Sequence, residues 1–340
     1  MATPVLEAAL NDGAWHEVHL VVRRHLVDLL ADGPLATRVR AVGGGREELS
    51  LLRHLAPDAA LLLSNSFGAA WRAWRARIPV RAGSALSGRR TLLTHALVPP
   101  TLAGRRAAVP TARLLRDVAG LVGLEVESLR PRLAVREELV ADQRRMLSRY
   151  GLEPDAPYVL CCPGAAFGAA KSWPSEHFAA VLDALAESRG FGAVVTGGPG
   201  EEGRIEAVAA ACRRAPVSLA AERRDLGRLK ALVRGARLVL VGDSGPRWIA
   251  EAFDVPAVVV FGPNAFEVTA HSFERSEPAW LAGLECAPCL QRTCPLDHHR
   301  CMRDLRPAVV LAAFERLEAR LAARSTALPP EPPPPRGTRA

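Results

Sequence analysis

The stretch "ARLVLVGDSGPRWIAEAFDVPAVVVFGPN", residues 236–264, decides the fold class. Its outer runs, Leu238 to Val241 and Ala257 to Phe261, are short, continuous and rich in valine, the pattern of strands buried on both faces of a parallel sheet. Between them the spacing predicts one helix: Ser244 suits its N-cap, Pro246 its first turn, and Val255-Pro256 its end. Strand, turn, helix and strand in this order make a doubly wound unit, in which ligands bind beyond the carboxyl ends of the strands. The N–H groups and dipole at a helix start favour an anion there, so Asp243, Ser244 and Gly245 form a candidate phosphate seat. Taken alone, the segment is equally well read as a capped turn with no ligand. Hydrolase readings of Ser244 fare worse. The "GDSG" of trypsin-like proteases continues with a second glycine inside an antiparallel barrel, and a G-x-S-x-G elbow fails at Pro246.

The same alternation extends in both directions. Downstream of the midpoint, strands are expected at Tyr158 to Cys162 and Gly192 to Thr196, and helices near Ser175 to Ser188, Glu201 to Arg213 and Pro307 to Arg324. In the first half, strand candidates Glu17 to Val22, Arg38 to Val42 and Ala59 to Leu63 are separated by amphipathic stretches, Ala31 to Thr37 and Arg46 to Leu55. After Leu63, Asn65 or Ser66 caps a helix that Ile78-Pro79 ends, and Trp71 and Trp74 on it read as packing residues. The proline-bounded segment 131–156 is the joint between a first domain, 1–130, and a second, 157–322. Residues 323–340 are proline-rich and expected to be a disordered tail.

Composition supports two domains: 340 residues with 49% apolar content bury a sizeable core without disulfides. There is no apolar run of membrane-spanning length and no secretory signal pattern, so a cytosolic chain is expected. Residues 1–150 hold 22 arginines and 14 acidic residues, and the whole excess of +8 lies there. An anionic partner for the first half is therefore expected, whether nucleic acid, an acidic membrane surface or a phosphorylated glycolipid, with a solvated arginine face as the plain alternative. Nucleic acid is disfavoured, because no helix-turn-helix, zinc-finger or stacked-aromatic pattern accompanies the charge.

A second candidate loop is "CCPGAAFGAAKSWPSEHFAAVL", residues 161–182. Pro163-Gly164 makes its turn, small residues such as Ala166 admit a ligand close to the backbone, and Ser175 is expected to cap the next helix behind Pro174. The chain uses lysine only at Lys171 and Lys230. A compact ammonium in this loop suits a phosphate, which makes Lys171 the first binding candidate.

The segments "PGAAFGAAKSWPSEHF", "VVTGGPGEE", "GDSGPRWIAEAFDVPAVVVFGP" and "ECAPCLQRTCPLDHHRCM", in this order and spacing, resemble the ADP-heptose:lipopolysaccharide heptosyltransferases, most of all their heptosyltransferase II members. Upstream, "NSFGAAWRAWRARIPVRAG" is similar to that family's acceptor-side loop and helix. The likeness covers most of residues 1–322. It implies a GT-B fold of two facing Rossmann-like doubly wound domains, acceptor on the first and nucleotide sugar on the second. It implies inverting transfer of heptose from ADP-heptose to the lipopolysaccharide inner core by a cytoplasmic enzyme peripheral to the inner membrane, with no metal or cofactor required for the chemistry. Carried over by position, Lys171 meets the donor diphosphate, the donor lies over Asp243-Ser244-Gly245, and Glu201 lies near the ribose, with Glu202 an equally placed neighbour. On the acceptor side the resemblance marks Asn65, Ser66 and Arg81.

Two departures stand out. Members of the family begin with a strand and a Gly-Asp turn leading into a helix that reads like "MATPVLEAAL", so the N-terminal sheet is expected to lack its first strand, and the aspartate expected as general base is not in the chain. A displaced start codon is one explanation, and a non-catalytic nucleotide-sugar-binding remnant the other. Trp248 stands where the family has a histidine directed at the donor, and Arg247 beside it is expected to supply the missing charge. Among the seven cysteines, Cys161, Cys162 and Cys212 read as small core residues, whereas Cys286, Cys289, Cys294 and Cys301, with His298 and His299 between, have spacing compatible either with a structural zinc site or with a reduced loop.

Overall fold

The computed structural model describes residues 1–327 apart from 103–104, 154, 165–167, 265 and 270–273. The expected tail from 328 onward, and Ala166, lie outside the described residues.

The second half is built on a six-stranded sheet in the order β10-β9-β8-β11-β12-β13, parallel throughout. Its strands are β8 (Tyr158–Cys162), β9 (Gly192–Val195), β10 (Val217–Ser218), β11 (Leu238–Gly242), β12 (Ala257–Val260) and β13 (Ser276–Ala279). Every residue of β8, β11 and β12 is buried, which is why these strands read as unbroken apolar runs. Alternate side chains divide between two cores. Val159, Cys161, Leu238 and Leu240 join Trp173 and Phe178 on one face, while Leu160, Cys162, Val239 and Val241 meet Leu232 and Ile249 on the other. Each buried branched side chain contributes about 1.5–3 kcal/mol through removal from water. Helices α7 (Ser175–Arg189), α8 (Glu202–Ala211), α9 (Leu226–Gly235) and α10 (Gly245–Ala252) supply the crossovers, followed by α11 (Arg300–Arg303) and α12 (Pro307–Ala327).

The first half is less regular. Helix α1 (Thr3–Asn11) precedes β1 (Leu20–Arg23), α2 (Val27–Leu30), β2 (Val39–Val42), α3 (Gly45–Leu55), β3 (Ala59–Leu62), α4 (Phe67–Arg75), β4 (Val80–Ser84), β5 (His95–Leu97) and the antiparallel pair β6 (Thr101–Leu102) and β7 (Arg105–Arg106). Two helices, α5 (Thr111–Gly120) and α6 (Glu137–Arg149), follow. Among the described residues the parallel strands form two separate sheets, β1-β2 and β3-β4-β5, with no ladder joining them. No helix among the described residues is long and apolar enough to cross a membrane.

Several expectations need correction. The first strand begins at Leu20 rather than Glu17, because pairing with Val39 starts only there, and Asp12 Oδ1 closes a turn on the Ala14 N–H upstream. The amphipathic stretch 31–37 is mostly turn: α2 ends at Leu30, and a short 3-10 turn, Ala36–Arg38, follows. Ser175 is the first helical residue, and Pro174 occupies the N-cap with no side-chain capping bond. Trp71 and Trp74 are not packing residues; they are 40% and 48% exposed, because Ala70 and Ala73 form the buried face of α4.

The two halves meet through a charged joint. Lys230, fully buried on α9, donates to Asp32 Oδ2 at 2.9 Å and to Ala134 O at 2.8 Å, and Arg136 lies 2.9 Å from Asp32 Oδ1. Helix α6 packs against α9, and its Met146 and Leu147 belong to the second-half core.

Candidate active site

The two loops singled out by sequence converge at the carboxyl ends of β8 and β11. Lys171, on a 3-10 turn (Ala169–Lys171) after β8, donates from Nζ to Asp243 Oδ2 at 2.8 Å and to Asp243 O at 2.9 Å. Asn264, just beyond β12, donates to the same Asp243 Oδ2 at 2.6 Å. With side chains 11% and 8% exposed, Lys171 and Asp243 form a largely desolvated ion pair, strong enough to fix the ammonium beside the start of α10. Ser244 takes the extended N-cap conformation there but makes no side-chain capping bond, so the first-turn N–H groups are not covered by their own cap. No hydrogen bond joins Ser244 to a histidine among the described residues, which leaves the hydrolase reading without a base.

Beside this turn a cavity of about 410 Å³ opens between the two halves, a size suited to a nucleoside-sized group. Gly164, Glu201, Ser244 and Gly245 line it from the second half, and His25 and Asp28 from the first. Met146, Leu219, Leu229 and Leu232 make an apolar slot in the same cavity. A Cβ at Gly164 would meet the Glu201 carboxylate, which would have to swing aside. Glu201 Oε2 accepts from the Gly198 N–H at 2.7 Å, which orients it beside the glycine-rich turn.

The structure separates the two neighbouring glutamates. Glu202 does not line the cavity; it accepts from the Gly200 N–H at 3.1 Å and pairs with Arg224. Backbone hydrogen bonds from its own N–H and from Gly200 hold its carboxyl below the usual value. Arg247 and Trp248 also stay out of the cavity. Arg247 is buried, lies over the Trp248 ring at 4.4 Å and donates to Thr269 O at 3.0 Å. Burial pushes its guanidinium down to about 10. The charge expected to replace the absent histidine therefore points into the protein interior, since α10 turns that side chain toward Phe261.

Of the residues expected on the acceptor side, Asn65 Oδ1 accepts from Ser84 Oγ at 2.6 Å, and Ser66 Oγ caps α4 through the Ala69 N–H at 3.4 Å. Arg81 is committed to the backbone, donating to Leu92 O at 2.7 Å and Ile78 O at 2.5 Å. Sequence reasoning missed Arg89. It is wholly buried and donates to Ser84 O at 2.9 Å, Ser84 Oγ at 3.1 Å, Ser66 O at 3.2 Å and Ser64 O, holding the turn that presents Asn65 and Ser66. No local signal marks it, since its partners in the turn lie more than twenty residues away.

Cys286, Cys289, Cys294 and Cys301 line one narrow cavity together with His298 and His299. Among the described residues, however, no three such side chains are arranged to hold a metal ion, so the zinc expectation finds no preformed ligand set. Burial, and then the neighbouring thiols, push the Cys301 thiol up to about 11. What the loop does supply is a brace. His299 Nε2 lies 2.7 Å from Ala170 O, the Ala170 N–H donates to Arg292 O at 2.9 Å, and the Leu290 N–H donates to Pro263 O at 2.8 Å. Both turns carrying Lys171 and Asn264 thus rest on it. Gly168, at φ +154°, is needed where Arg292 passes, because a Cβ would strike that residue's backbone.

Residues 49–300 match the model of glycosyltransferase family 9 (heptosyltransferase). The chain belongs to this family. Among relatives, lipopolysaccharide heptosyltransferase 2 of Salmonella typhimurium is 29% identical over 249 residues, 69% of this chain and 68% of that one. Lipooligosaccharide heptosyltransferase 2 of Campylobacter jejuni subsp. jejuni serotype O:2 is 32% identical over 162 residues, 46% of this chain and 49% of that one. The chain thus spans about half the length of the Campylobacter relatives it matches. Of solved structures, E. coli ADP-heptose lps heptosyltransferase II superposes with a TM-score of 0.72 at 22% identity, covering 95% of each chain. A glycosyl transferase of family 9 from Veillonella parvula gives 0.73 at 20% identity over 93% of this chain and 92% of that one. These likenesses establish the GT-B architecture expected from the sequence.

Proposed function

We propose that this family 9 member is an inverting glycosyltransferase that moves heptose from ADP-heptose to a sugar hydroxyl of the lipopolysaccharide inner core. The observation that carries the reading is the Lys171–Asp243 pair set against the uncapped start of α10, whose Ser244 and Gly245 line a cleft holding an apolar slot and a carboxylate. Such a cleft suits the parts of a nucleoside diphosphate: base in the slot, ribose against Glu201, phosphates over Ser244-Gly245. As the glycosidic bond breaks, ADP gains charge. The Lys171 ammonium, pinned by Asp243, and the N–H groups of α10 stabilise that charge without reorganising. The acceptor enters from the first half, past the turn that Arg89 holds, and the arginine excess of residues 1–150 suits a phosphorylated glycolipid.

The test is calorimetric titration with ADP alongside mass-spectrometric detection of heptose transfer to core acceptors. Wild-type protein is expected to bind ADP in preference to UDP and to turn over. Lys171→Met is expected to weaken ADP binding by roughly one to two orders of magnitude, the scale of one lost charge-assisted contact. Failure of wild type to bind ADP overturns the donor assignment. ADP binding without transfer overturns the enzymatic reading and leaves a nucleotide-sugar-binding protein.

A further inference from the structure

Helix α4 carries an outward stripe that the site does not use. Phe67, Trp71 and Trp74 are 49%, 40% and 48% exposed. Their spacing places them within about 60° of one another around the helix, given about 100° per residue. The opposite requirement is met by Ala70 and Ala73, both fully buried against the domain. Large aromatic side chains lined up in water along one face are costly to leave exposed, and a stripe of this kind marks an interaction surface.

The charge beside the stripe selects the partner. Arg75 follows Trp74 directly, and Arg77, at φ +62°, turns outward just past the helix end. Both are exposed, and neither pairs with an acidic side chain among the described residues. Arg72, by contrast, faces inward and is neutralised by Glu48 at 2.9 Å. Tryptophan with arginine is the combination that seats at an anionic lipid surface, rings at the headgroup boundary and guanidinium groups on phosphates.

We infer that the α4 stripe of Phe67, Trp71 and Trp74, flanked by Arg75 and Arg77, seats the protein on an anionic lipid bilayer. Direction adds a consequence. Because β3 and β4 are parallel, the chain leaves β3 at its carboxyl end, passes Asn65 and Ser66, and returns along α4 to the start of β4. A bilayer lying along α4 therefore reaches the Asn65–Ser66 turn at the start of the helix. This deepens the proposed function, on which it rests for the identity of the acceptor: a membrane-anchored glycolipid would arrive beside Asn65 and Ser66.

The experiment is co-sedimentation of the full chain with vesicles of phosphatidylcholine containing phosphatidylglycerol, and with phosphatidylcholine alone. Wild type is expected to partition onto the anionic vesicles and to be released by salt. Trp71→Ala/Trp74→Ala and Arg75→Glu/Arg77→Glu are each expected to lower that partition roughly tenfold or more. Both are expected to keep wild-type ADP affinity, which certifies their folding. Brominated lipids are expected to quench wild-type tryptophan fluorescence and to lose this effect in the tryptophan double variant. No binding of wild type to anionic vesicles, or unchanged binding by both variants, overturns the inference. So does a dimer in solution that the tryptophan variant abolishes, because the stripe would then be covered by a second copy. None of these readouts needs heptose transfer, so the inference and the proposed activity fail separately.

Discussion

Single residues in this protein act through what surrounds them, and Glu251 on α10 is the clearest case. It is 3% exposed, and burial, the leading cause, raises its carboxyl from 4.5 to about 7 against the opposing pull of Arg247. Glu274 and Asp254 add to the rise, and Arg130 works against it. Since the folded protein holds this proton more tightly than the unfolded chain, stability is full below about pH 4.5 and falls as pH rises toward 7, by at most about 3 kcal/mol. Glu251→Gln is expected to flatten the melting temperature between pH 5 and 8; an unchanged slope would assign the effect elsewhere. Residue identity in the site was legible to a matching degree. Lys171 stood out because the chain uses arginine everywhere except there and at Lys230, and Asp243-Ser244-Gly245 because of the turn chemistry. The inward course of Arg247 and the separation of Glu201 from Glu202 were not legible, since both follow from helix phase within the fold.

Elements show the same division between local pattern and distant partner. Strands β8, β11 and β12 were readable because burial on both faces demands unbroken apolar runs. Strands β4 and β5 were not: Arg81, Gly83 and His95 interrupt any pattern, and only pairing with β3 and with each other makes them strands. The cysteine loop drew notice for its sulfur spacing, whereas its role as a brace comes from backbone contacts that no spacing predicts. His299→Ala removes its contact with Ala170 O. The expected cost in stability is small, about 1 kcal/mol. The looser Lys171 turn is expected to raise the KM for the nucleotide sugar several-fold, with a smaller change in kcat, as steady-state kinetics would show. Equal loss in both constants would argue against a bracing role.

At the scale of the whole molecule, the joint between halves depends on one buried lysine. The two partners of this joint are not equivalent. Asp32→Ala leaves Lys230 buried beside only the Ala134 carbonyl, and a cost of about 3–5 kcal/mol is expected. Lys230→Met leaves Asp32 still neutralised by Arg136, so a smaller loss is expected. Denaturant unfolding of the two variants checks the order, and a reversed order would show that Arg136 does not hold the aspartate. Because α2 carries Asp28 into the cleft one turn before Asp32, both variants should also weaken ADP binding if the cleft holds the nucleotide as proposed.

The split of the first-half strands into a pair and a triplet has a kinetic side. Each strand in a short ladder has few neighbours to hold it, and the residues of β3 are only half-buried, whereas β8 and β11 lie wholly inside six-membered company. Amide protons of β1 to β5 should therefore trade with deuterated solvent long before those of β8 and β11, and the first half should be the first to open under mild denaturant.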